Sequence, residues 1–114
     1  MSVDKSLLGG STILMLLSLL EGKDCYGYEI IKELETRSEG VFKFKEGTLY
    51  PVLHKMENLG YVKSYRKTGD NGKERKYYGI TLAVKTALAD KKESWREFSV
   101  SVNKVIGGEG YAFA

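Results

Sequence analysis

At Gly60 the apolar residues change period, and at Thr81 they change back. Before Gly60, Leu49, Val52, Leu53, Met56 and Leu59 recur at i, i+3, i+4, i+7 and i+10, one stripe of an α-helix. Residues 61–67 and 75–81 are instead rich in Tyr, Val, Ile and Thr and alternate with a period near two, as strands do. Between them lies Thr68-Gly69-Asp70-Asn71-Gly72-Lys73-Glu74, whose Asn-Gly pair is a strong hairpin signal. A strict two-residue Asn71-Gly72 turn would set Ile80 opposite Lys63, an apolar side chain against a charge, so a longer, mobile loop is expected.

Four helical patterns surround this hairpin. Residues 6–20 read as a buried helix whose second half is apolar on every face, which requires neighbours on every side. Residues 26–38 carry Ile30, Ile31 and Leu34 on one side, with Gly27 on the same face and Asp24 as the expected N-cap. Residues 48–59 form the third helix. Pro51 is tolerated only in its first turn, which places the N-cap near Gly47 or Thr48. Residues 81–106 form the last, with Val84, Leu88, Trp95, Phe98, Val102 and Val105 in a heptad seam and Lys91 in one inward slot. Such a seam exceeds what a body of this size covers, so a second subunit is expected along it. Residues 107–114 read as a flexible tail.

Three helices followed by a two-stranded hairpin make a winged helix-turn-helix. The expected fold is mainly α with a small β-hairpin: a winged helix-turn-helix over residues 1–81, then a long C-terminal dimerisation helix over 82–106. The third helix would bury its stripe and show Thr48, Tyr50, Pro51, His54, Lys55 and Asn58 outward, a face suited to a major groove about 12 Å wide. Its N-terminal N–H groups and dipole would favour a phosphate. Lys73, Arg75 and Lys76 at the hairpin would add cations beside it.

Charge is distributed accordingly. The net charge of the 114 residues is only +3, yet residues 41–80 hold nine Lys/Arg against four acids, +5, and the rest of the chain is −2. The basic centre also holds five of the eight Tyr and the only His. A polyanion, double-stranded DNA above all, is the first candidate partner, and charge alone leaves a solvated Lys-rich hairpin equally open. One Cys and one His build neither a disulfide framework nor a Cys/His zinc site, so no metal or cofactor is expected. There is no Gly-rich phosphate loop, paired-carboxylate motif or nucleophile elbow, and the chain is not expected to be an enzyme. The uncharged run 7–20 is 14 residues, short of the roughly 20 that span a bilayer, and no small-x-small cleavage site follows. A cytoplasmic protein with no membrane partner is expected.

Four segments resemble the PadR family of bacterial transcriptional regulators: Tyr26-Gly27-Tyr28-Glu29-Ile30-Ile31, Gly47-Thr48-Leu49-Tyr50-Pro51-Val52-Leu53, Leu59-Gly60-Tyr61-Val62, and Arg75-Lys76-Tyr77-Tyr78-x-Ile80-Thr81. Their order and spacing match across residues 7–106. The resemblance implies a homodimeric repressor on a palindromic operator, with DNA-reading positions at Thr48, Tyr50, Pro51 and the basic wing, and a single C-terminal dimerisation helix as in the family's short members. One position departs: where the family usually has Gly, three residues after the Thr that ends the wing, this chain has Val84.

Several residues keep two readings. Trp95 is an apolar anchor of the dimer seam or, as the resemblance implies, a platform for a flat aromatic effector. Leu88, Phe98, Val102 and Val105 complete the expected interface. Tyr50 contacts a phosphate or packs under the wing. His54 contacts the groove or is solvated, and Thr48 caps the helix while showing its backbone to a phosphate. One of Tyr77 and Tyr78 should be core and the other exposed. Cys25 is read as buried and inert. The alternative function is a winged-helix module for protein or RNA contacts without operator binding.

Overall fold

A computed structural model describes residues 11–107. Residues 6–10 of the expected first helix and 108–114 of the expected tail lie outside them. Helix α1 (Thr12–Gly22) buries Leu16, Leu17, Leu19 and Leu20 at the centre of the core. Strand β1 (Cys25–Tyr26) leads directly into helix α2 (Gly27–Arg37), and helix α3 (Glu46–Asn58) follows. Ile30 and Leu34 of α2 and Leu49, Leu53 and Met56 of α3 close on α1. Strands β2 (Val62–Thr68) and β3 (Glu74–Ile80) form the hairpin, and helix α4 (Leu82–Val105) completes the chain. The sheet has three antiparallel strands in the order β1-β3-β2. Among the described residues no helix is long and apolar enough to cross a membrane.

Several expectations are corrected. Asp24 does not cap α2: Tyr26 is the N-cap, and its N–H donates to Glu29 Oε1 at 3.2 Å. Asp24 instead accepts a hydrogen bond from the Tyr65 hydroxyl at 2.6 Å. Helix α3 starts at Glu46, so neither Gly47 nor Thr48 is its cap and Pro51 is its sixth residue. The Lys45 carbonyl accepts from both Thr48 and Leu49, at 3.0 and 2.9 Å. Pro51 has no N–H to donate to the Gly47 carbonyl four residues back, which lies at an exposed position where water can serve it. The helix ends as expected at Gly60, whose φ of 77° suits glycine; the Tyr61 N–H reaches back to the Met56 carbonyl at 2.9 Å.

The hairpin loop is longer than two residues, as the register argument requires. Thr68 pairs with Glu74, and the Gly69 N–H donates to the Lys73 carbonyl at 2.9 Å. Asp70, Asn71 and Gly72 remain as the loop, with Gly72 at φ 81°. The register thus sets Val62, not Lys63, opposite Ile80. The third strand, β1, was not expected.

Helix α4 is capped by Thr81, which accepts from the Val84 N–H at 3.4 Å. Thr81 also donates through its hydroxyl to the Gly60 carbonyl at 2.9 Å, tying the wing's end to the corner that follows α3. Val84 and Leu88 lie inside the protomer's own core rather than on an outward seam. The seam that reaches solvent therefore begins only at Trp95.

Candidate nucleic-acid interface

The outward surface of α3 forms as the residue pattern predicts. Burying Leu49, Leu53 and Met56 leaves Thr48, Tyr50, Pro51, His54, Lys55 and Asn58 exposed. Its two flanks differ. On one flank the Glu57 carboxylate accepts from the Ser64 hydroxyl at 2.6 Å, which seats the inner face of the wing beside α3. On the other flank Lys55 borders a groove with Leu14, Leu59, Tyr61, Lys91 and Trp95. Leu59, the last residue of the expected stripe, is 49% exposed because the chain turns away from the core there.

Tyr50 stands on the wing flank, on the side of Lys76 and Tyr78. It is 41% exposed, and its phenol also rests against Gly27 at the start of α2. Partial burial, with Glu46 nearby, raises its pKa, so the hydroxyl stays a hydrogen-bond donor at neutral pH. Glu46 occupies the first turn of α3. A carboxylate in that turn complements the helix dipole and would compete with a phosphate for the same end.

The wing cations separate by face, because successive strand residues point to opposite sides of a sheet. Lys76 shares the inner face with buried Tyr78, its Nζ 5.5 Å from that ring's centroid. Burial raises the Tyr78 pKa, so this phenol too stays neutral. Arg75 is on the outer face, its guanidinium 4.3 Å from the centre of the Tyr26 ring. There Tyr77 meets Tyr26 edge-on at 5.4 Å and stacks on Tyr65 at 5.8 Å, with Lys67 over Tyr77 at 5.2 Å. Of the Tyr77 and Tyr78 pair, Tyr78 is buried as expected, whereas Tyr77 is half-buried rather than exposed, because Tyr26 and Tyr65 pack on its ring. Lys73 is exposed at the loop, and Arg66, an inner-face cation that the sequence reading did not single out, lies 3.8 Å from Glu74. Strand alternation within Arg75-Lys76-Tyr77-Tyr78 could have separated the two cations; it does not reveal Tyr26 as the partner of Arg75, because β1 is too short to show a period.

The second half of α4 is bare. Trp95 is 45% and Phe98 60% exposed, their rings 5.9 Å apart, and Val102 and Val105 continue the exposed row. Trp95 also borders a second groove, lined by Met15, Leu34, Arg37 and Phe42. Cys25 is buried, and burial raises its pKa, which disfavours the reactive thiolate.

Residues 16–90 match the model of the transcriptional regulator PadR-like family. An uncharacterised protein of Lysinibacillus sphaericus is 34% identical over 94 residues, 82% of this chain and 86% of its own length. A PadR-like transcriptional regulator from Bacillus cereus superposes with a TM-score of 0.78 at 30% identity, covering 92% of this chain and all 100% of that one. A PadR family transcription regulator from Clostridium difficile does so with a TM-score of 0.72 at 39% identity, over 85% of this chain and 99% of that one.

Proposed function

The chain belongs to the PadR-like family of transcriptional regulators, and on that premise we propose that it is a homodimeric repressor that reads a palindromic operator through α3 and the inner face of its wing. The observation that carries this reading is the exposed polar face of α3, with Tyr50 on the flank next to Lys76. Pro51, His54 and Asn58 would enter the major groove, with Thr48 and Lys55 at its margin. Lys76 and Lys73 would meet phosphates, supplying affinity without sequence information.

The bare row Trp95, Phe98, Val102 and Val105 supports pairing of two chains along α4. The dimer would present two reading helices to half-sites about 34–36 Å apart. Trp95, at the junction of two grooves, is the position proposed for an aromatic effector. A ligand there that prefers one spacing of the two helices would shift the dimer away from the operator.

Duplex binding across a salt series tests the assignment. Wild-type protein should bind duplex DNA with log K falling linearly in log salt, and Lys76→Ala should reduce that slope by about one unit. An unchanged slope removes the wing's role. Failure to bind any duplex at micromolar protein favours the module that contacts protein or RNA.

A further inference from the structure

Gly27 is the first residue of α2 and is buried. Its φ is not in the left-handed region, so its backbone does not require glycine, and alanine is the better helix former. What excludes a side chain is Tyr50. A methyl group at Gly27 would lie 2.8 Å from Tyr50 Cζ, 3.3 Å from Cε1 and nearer still to the hydroxyl oxygen. These three nearest atoms outside its own helix all belong to one phenol, from another helix. The phenol is the free end of a side chain whose other side is open to solvent, so it can turn away without disturbing α2.

We infer that Gly27 is a positioning residue for DNA binding: the space it leaves sets how deeply the Tyr50 phenol sits between α2 and α3, and so where its hydroxyl meets a phosphate. This rests on the reading of α3 as the DNA-facing helix. A larger residue at position 27 pushes the phenol outward, and the displaced hydroxyl misses its phosphate while the fold is kept. The glycine of the Tyr26-Gly27-Tyr28 segment thereby acts on the interface from a helix that need not touch DNA itself.

A double-mutant cycle on a duplex selected from a random pool by the wild-type protein tests this. Gly27→Ala and Tyr50→Ala should each weaken binding about tenfold, the loss of one side-chain contact. The double variant should bind no more weakly than Tyr50→Ala alone. Gly27→Ala should keep the wild-type circular dichroism spectrum and melt no lower than wild type. Additive losses would overturn the coupling while leaving Tyr50 as a contact. A Tyr50→Ala protein with wild-type affinity would instead overturn the premise that Tyr50 meets DNA. A Gly27→Ala protein that does not fold would also overturn the inference, because the methyl would then strain α2 rather than turn Tyr50.

Discussion

Arg75 and Lys76 are chain neighbours of the same charge with opposite surroundings. The Arg75 guanidinium lies over Tyr26, while Lys76 shares the inner face with Tyr78. Arg75→Ala should therefore leave the salt slope of duplex binding unchanged, in contrast to Lys76→Ala, and lower stability through the lost cation–π contact by about 0.5–1 kcal/mol. Equal slopes for the two variants would sink the division of the wing by face. Tyr65 offers a second test on that outer face. Its phenol, ordinarily near 10.0, is pushed up to about 12 by its hydrogen bond to Asp24. The folded state then holds a proton that the unfolded chain has already released. That contribution is complete below pH 10.0 and is lost as pH climbs towards about 12. Tyr65→Phe should lower the melting midpoint slightly at neutral pH and flatten its fall across this alkaline window. A variant with the wild-type alkaline profile would show that the bond contributes nothing. Gly79 belongs to the same arrangement, since a methyl there would stand 2.7 Å from Asp24 Cγ.

Among the elements, α3 and α4 were legible for different reasons. The stripe of α3 is regular, so its exposed face follows by subtraction. Its start does not, because capping depends on which carbonyls find donors, and Lys45 serves two. The seam of α4 has a clear period, yet period alone does not separate contacts within one chain from contacts between two. Packing divides it: Val84 and Leu88 go to the protomer's core, and Trp95 onward stays bare. Phe98→Glu places a charge in the centre of that bare row, where a dimer would bury it. The wild type should sediment as a dimer and the variant as a monomer with weakened duplex binding. A variant that remains dimeric would move the interface elsewhere.

For the whole molecule, the long axis measures 52 Å against 32 and 22 Å for the others. A 24-residue helix accounts for about 36 Å of length, so α4 sets much of this elongation. The basic wing and the bare apolar row lie on different elements, the first proposed above for a polyanion and the second for a second chain. If the second also accepts an aromatic effector, Trp95 fluorescence should quench on titration with flat aromatic compounds, and duplex affinity should fall with it. Unaltered emission across a broad panel would leave Trp95 as a dimer anchor only. The sequence by itself determined the order of the four helices and the hairpin, the apolar stripe of α3, the need for a hairpin loop longer than two residues and the placement of charge in residues 41–80. These depend on period and composition, which are local properties of the chain. Only the tertiary structure decided that Tyr26 joins the sheet, that Arg75 and Lys76 part company, that Asp24 serves Tyr65, and that Gly27 makes room for Tyr50. Each of those pairings joins residues distant in sequence or surroundings set by another element, and no period along one segment encodes what a neighbouring element brings to it.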